Sequence, residues 1–323
     1  MIDTLNAPSE AKLLYSLKPH AGAVEALAFS PDRRLLATGS HDGIGRIWDV
    51  SGSKPAERAA FRILEGIRSL VFAPSGRSLA AGSGAGTISL FDVSPIATRE
   101  YRTLRGAKGS VDAVAFSPDG LLVAGGGEDQ TLRIWEPGTG IASEPRNLLP
   151  GHTQAIRTIA FAPDGKSLAT GSRDSSARVW ALNRIRPSQQ MSLPHGGEVG
   201  TVAYSPDGKS LITSGKDKVI WLWDLTALKA TVRTRLPGHT GETRLVLMTP
   251  DAETVVSVGA GSEVMNWSPR TGRLRRECAL PGSSATRFAL TPDGRYLARG
   301  LADGSVQVFR VAEKRAAGVS HHG

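Results

Sequence analysis

The sequence predicts an all-β fold of seven four-stranded antiparallel sheets, and three observations predict it. A Pro-led turn recurs at Pro31, Pro74, Pro118, Pro163, Pro206, Pro250 and Pro292, at intervals of 43, 44, 45, 43, 44 and 42 residues. An aromatic stands 17 residues after every one of these prolines: Trp48, Phe91, Trp135, Trp180, Trp223, Trp267 and Phe309. Around these markers apolar and polar residues alternate with period two, as strands with one buried face require. Four short strands in a unit of about 43 residues make one blade of a β-propeller. A 323-residue chain would otherwise suggest two domains, but repeats that bury their surface on their neighbours escape that rule.

Each unit reads in the same order. The first strand is an alternating run such as AVEALAFS (23–30), AIRTIAFA (155–162) or EVGTVAYS (198–205). The turn SPDG (117–120, 205–208) or APDG (162–165) follows, Pro presetting φ and Gly accepting a left-handed conformation. A second strand (KSLATGS, 166–172) leads to a tight turn at Asp174, and a third (SARVW, 176–180) ends in the aromatic. A fourth, more variable strand fills the stretch before the next unit, where insertions are tolerated.

The blades are expected near 19–60, 61–103, 104–148, 149–191, 192–235, 236–278 and 279–311. The last unit runs out after its third strand. The unassigned run KLLYSL (12–17) resembles the segment preceding the His of blade 6, so residues 11–17 are expected to supply the outer strand of blade 7. That closure leaves no broken blade at the seam. Residues 1–311 then form a single domain, and 312–323 are expected to be a disordered tail whose histidines are incidental rather than metal ligands.

Gly-His pairs at 151–152 and 238–239, bare His at 20 and 195, and Trp-Asp at 48–49 and 223–224 fall in register with Phe-Asp at 91–92 and Trp-Glu at 135–136. In that register the chain resembles the WD-repeat β-propellers from about residue 11 to residue 311. The resemblance implies a buried network of His, Ser or Thr, Asp and Trp within a blade. The set is complete in blade 1 (His20, Thr38, Asp42, Trp48), blade 4 (His152, Thr170, Asp174, Trp180) and blade 5 (His195, Thr213, Asp217, Trp223). It is broken elsewhere: blade 3 has Ala107 and Gly125, blade 6 has Gly261 where the Asp belongs, blade 2 has Ala81, Ala85 and Phe91, and blade 7 has Arg299 and Phe309. A half-satisfied buried network is worse than none, so sets that stay whole or dissolve together are expected of structure. The same trio in three blades argues against an active site.

The resemblance further implies a platform for a protein or peptide, binding through the face made by the loops before the first strand and between the second and third. Positions six before each Pro (Glu25, Arg68, Asp112, Arg157, Gly200, Arg244, Thr286) and seven before each aromatic (His41, Gly84, Glu128, Arg173, Lys216, Ala260, Ala302) are expected there. Arg157, Arg173, Lys216, Lys218 and Arg244 make a basic arc on blades 4–6, against Glu25, Asp112 and Glu128 on blades 1 and 3. The alternative is a set of solvated loop tips without a partner.

Net charge is +9 and the pI about 10, which admits an acidic partner, nucleic acid included. The basic residues are nonetheless scattered. No apolar run approaches the length of a membrane span, and the N-terminal segment lacks the marks of a signal peptide, so a cytoplasmic location is expected. The lone Cys278 cannot form an internal disulfide and reads as a structural thiol. GSGAGT (82–87) falls at the turn between the second and third strands of blade 2 and reads as a turn, not a phosphate loop. Trp221, outside the register, reads as filling the core of blade 5, the alternative being an aromatic anchor on a contact surface. No metal-binding, nucleophile or phosphate motif stands outside the repeat frame. The expected function is therefore a non-catalytic, cofactor-free, monomeric interaction scaffold, with nucleic-acid or polyanion binding through the basic arc as the alternative.

Overall fold

The structure, a computed structural model, describes residues 11–93, 98–138, 143–183, 187–227, 229–237, 239–282 and 285–311. Among these lie 28 strands and no helix, grouped into seven four-stranded antiparallel sheets. No helix among the described residues is long and apolar enough to cross a membrane. The expected tail, 312–323, lies outside the described residues.

Blade 4 shows how a unit is made. Ile156–Phe161, Ser167–Ser172, Ser176–Ala181 and Ser188–Pro194 pair consecutively from the centre outward. The first strands of the seven blades begin at Val24, Ile67, Val111, Ile156, Val199, Thr243 and Arg287, and each contacts the next until the last meets the first. They surround a central channel. In the seventh sheet, Arg287–Leu290, Tyr296–Gly300 and Val306–Arg310 are followed by Lys12–Leu17, with Lys12 opposite Arg310 and Leu17 opposite Val306.

The turns follow their local chemistry. The second residue after the Pro has positive φ in all seven blades: Gly165 has φ 68°, while Arg33 (64°) and Ala252 (58°) hold the same conformation without glycine's freedom. A hydroxyl before the Pro repeatedly donates to the Asp after it, as Ser117 does to Asp119 at 2.5 Å and Ser205 to Asp207 at 2.6 Å. That side-chain bond secures the turn independently of the sheet.

The cores lie between blades. Trp180 packs with Leu168 against Ala124, Leu132 and Ile134 of blade 3, and Trp135 packs against Ala80, Ile88 and Leu90 of blade 2. The fixed 17-residue spacing thus sets an aromatic wedge between consecutive sheets, where its large apolar area is buried. Cys278 is buried in the core between blades 6 and 7, and burial pushes its thiol pKa up. Trp221 packs against the core between blades 4 and 5. It is only partly buried, because the core position beneath it is already filled by Trp223, on which it stacks with ring centroids 5.5 Å apart.

Candidate functional site: the channel mouth and the networks beneath it

In blade 4 the full constellation assembles. His152 Nδ1 lies 2.8 Å from Asp174 Oδ2, His152 Nε2 lies 2.6 Å from Thr170 Oγ1, and Trp180 Nε1 donates to Thr170 Oγ1 at 2.9 Å. With Asp174 accepting from Nδ1, Nε2 is the acceptor of the Thr170 hydroxyl, whose oxygen in turn accepts from the indole. Burial lowers the His152 pKa, with Asp174 only partly opposing it, so the ring is neutral. Burial alone would raise the Asp174 pKa, but hydrogen bonds from Ser176, His152 and the Thr153 amide hold it below the usual range. The His152 side chain has 0% exposure and both its nitrogens are occupied. This is a latch.

The other blades vary the latch. In blade 1, His20 Nε2 reaches Thr38 Oγ1 at 2.8 Å and Trp48 Nε1 donates there at 3.3 Å, but His20 Nδ1 has no hydrogen-bond partner. Asp42 accepts from the amides of Ile44 (2.8 Å) and Ala21 (3.2 Å), as Asp174 does from those of Ser176 and Thr153. In blade 5, His195 and Trp223 both meet Thr213, at 2.6 and 2.7 Å, while His195 Nδ1 lies 3.0 Å from the Leu193 carbonyl. Asp217 is taken by Trp221 Nε1 at 2.8 Å. The three sets that look equal in sequence therefore differ at the His–Asp contact, and in blade 5 the carboxylate goes to Trp221 instead.

Blade 6 departs the other way. Gly261 stands at the Asp position, yet His239 Nδ1 finds Glu263 Oε1 at 3.0 Å, and its Nε2 finds Ser257 at 2.7 Å. The longer Glu side chain, two residues further on, restores the contact. In blade 7 the buried Arg299 fills the place of the Ser or Thr. Its Nε donates to Gln307 Oε1 at 2.8 Å, its Nη2 donates to the Pro281 carbonyl, and its guanidinium lies 5.0 Å over the Phe309 ring. Blade 3 satisfies Trp135 Nε1 with the Arg105 carbonyl at 3.1 Å, and Asp129 pairs with Arg133 at 2.8 Å.

Above these latches the channel mouth is charged. Glu25, Arg68, Asp112, Arg157, Gly200 and Arg244 each sit at the register shift between the first two strands of their blade. A bulge re-aims its residue out of the sheet, here toward the channel. Blade 7 has no such shift, and Arg287, one residue past Thr286, lines the channel beside it. A cavity of about 170 Å³ is lined there by Asp112, Arg157, Glu198, Glu242, Arg244 and Arg287.

The expected separation into a basic and an acidic arc does not hold, because the charges interleave. Arg157 Nη1 reaches Asp112 at 2.8 Å and its Nε reaches Glu198 at 3.2 Å. Glu198 also takes Lys216 Nζ at 2.8 Å and Arg173 at 3.6 Å. Arg244 pairs with Glu242 at 3.3 Å, and Glu25 lies between Arg287 (3.6 Å) and Arg68 (4.0 Å). Burial would raise the Glu198 pKa, but the bond from Lys216 and the charges of Lys216, Arg157 and Arg173 hold it down. Burial lowers the Arg287 pKa, with Arg157 and Arg244 adding to it against Glu25. Lys218 and Glu128 stand exposed on hairpin turns, Lys218 with φ 63°.

Glu198, Glu242 and Arg287 are absent from the sequence-derived face. Two of them share a signal that would have found them: both glutamates stand eight residues before the turn Pro of their blade. Arg287 carries none, since it reaches the channel only because blade 7 lacks the bulge.

The family model described as WD domain, G-beta repeat matches residues 11–49, 63–92, 98–136, 143–181 and 187–224, more than half of the chain. Its first match joins Lys12–Leu17, the outer strand of the seventh sheet, to the first three strands of blade 1. The matched segments stop at blade 5.

Proposed function

The chain belongs to the WD40 family, and from that premise we propose that it is a non-catalytic interaction scaffold whose channel mouth receives a protein or peptide segment. Propellers of this family generally serve as interaction scaffolds. One observation carries the reading: Glu198, with 12% side-chain exposure, anchors Lys216 (58%) and Arg173 (49%) so that their charges stand in solvent at the rim. Anchored rim charges orient an approaching partner and suppress wrong ones at little cost to the fold.

The interleaving weighs against polyanion binding, because three of the five arc cations converge on one carboxylate. The test is affinity capture from native lysate with the parent chain and with Arg173→Glu/Lys216→Glu. Arg157 is a poor choice for reversal, since a carboxylate there would face Asp112 and Glu198. A specific protein captured by the parent and lost by the double variant is the expected result. Prey unchanged by the variant would move the site off this face. Affinity for duplex DNA that falls steeply with added salt would overturn the reading in favour of nucleic acid.

A further inference from the structure

The circumference of the propeller carries a groove that the repeat does not require. It runs between the outer strand of blade 4 and the third and outer strands of blade 5 (Val219–Asp224, Thr231–Pro237), with a volume of about 530 Å³. Met191, Leu193, Trp221, Ala230 and Val232 give it an apolar lining, to which Lys229 and Arg235 add positive charge.

Trp221 forms its fixed wall. One face stacks on Trp223 with an interplanar angle of 14°, the Arg235 guanidinium lies 4.3 Å over the ring, and Asp217 accepts its indole N–H. Asp217 occupies the place that Asp174 fills in blade 4, yet it serves Trp221 and leaves His195 to a backbone carbonyl. A blade that gives up its His–Asp bond to orient a partly exposed tryptophan departs from the repeat, although the ring also packs on Trp223 and against the edge of His195. Such departures concentrate at functional positions.

We propose that this groove docks an acidic peptide segment carrying one aliphatic or aromatic anchor. The anchor lies beside the Trp221 ring, held rigid by Trp223 and Arg235, the kind of aromatic position that concentrates binding energy in interfaces, and the unbranched Met191 adapts to its shape. The charge of the occupant follows from the rim. At the channel mouth the cations have carboxylate partners, whereas among the described residues no carboxylate makes an ion pair with Lys229 or Arg235. The groove lies on the circumference, so it stands or falls separately from the channel-mouth reading.

The test is fluorescence anisotropy of labelled nonapeptides on the full chain. The probes carry aspartates around a central leucine or tryptophan, the same frame with central alanine, and a lysine-flanked counterpart. Leucine or tryptophan peptides bind about tenfold or more tighter than either control, and added salt weakens them. Lys229→Glu, an exposed change, weakens binding about fivefold or more with melting unaltered, and Arg235→Glu weakens binding at least as much. Trp221→Ala abolishes it, while Trp221→Phe, which keeps a stacking ring, retains part. Equal binding of leucine and alanine peptides, or binding indifferent to Lys229→Glu, overturns the proposal. Binding lost in Arg173→Glu/Lys216→Glu but kept in Lys229→Glu would also overturn it, by placing the peptide at the channel mouth.

Discussion

Blades 4 and 7 have the same four-stranded sheet but different internal supports. In blade 4, three side chains, His152, Ser176 and Trp180, converge on the Thr170 hydroxyl and the Asp174 carboxylate. In blade 7 a single buried arginine spans that space, donating to Gln307 and to the Pro281 carbonyl beneath Phe309. What the sheet requires is that the polar atoms between second strand, third strand and preceding loop be satisfied, by whatever groups can reach. Buried polar groups are costly only when unpartnered.

The sharpest way to break this comparison is at Arg299. Arg299→Ala should destabilise by about 3–4 kcal/mol, through a cavity under Phe309 and orphaned acceptors at Gln307 and Pro281. Urea midpoints measure it, and Arg299→Leu combined with Gln307→Val should recover much of the loss. A midpoint unmoved by Arg299→Ala would mean that blade 7 does not depend on its substitute latch.

A smaller effect separates blade 4 from blade 5. His152→Ala should cost about 1–3 kcal/mol. In double-mutant cycles, His152 and Asp174 should couple by about 1 kcal/mol or more, while His195 and Asp217 couple by less than about 0.5 kcal/mol, because Asp217 serves Trp221. Equal coupling in the two blades would contradict this distinction.

The smallest effect is on pH. Burial holds the pKa values of His20, His152 and His195 below the ordinary 6.5. In that window the unfolded chain binds more protons than the folded one, so their stabilisation is full above about pH 6.5 and is lost as pH falls through the lowered values. The depressed Asp174 pKa adds a second loss, below the ordinary carboxylate range. Chemical denaturation between pH 7.5 and 5 should show falling stability, with a shallower slope in His152→Asn. A parent-like slope in that variant would remove His152 from the account.

The candidate site was legible only in part. The offset six before each Pro selected residues that occupy the bulge in six blades, because the turn fixes the count back along the strand. It missed Arg287, where the bulge is absent, and it gave no sign that Glu198 draws three cations together. Glu263 was equally hidden: position in the repeat pointed to Gly261, whereas the reach of a longer side chain decided the contact.

By itself, the sequence determined the number of blades, the place of every first turn and the residues that wedge between sheets. Those features arise from proline geometry, strand alternation and fixed spacing, all of which act within about twenty residues. The tertiary structure alone decided which carboxylate each histidine holds, which charges meet at the channel mouth and that Trp221 lines a groove. Such choices depend on atoms brought to about 3 Å from distant parts of the chain, as when Arg287 binds the Glu25 carbonyl across 262 residues.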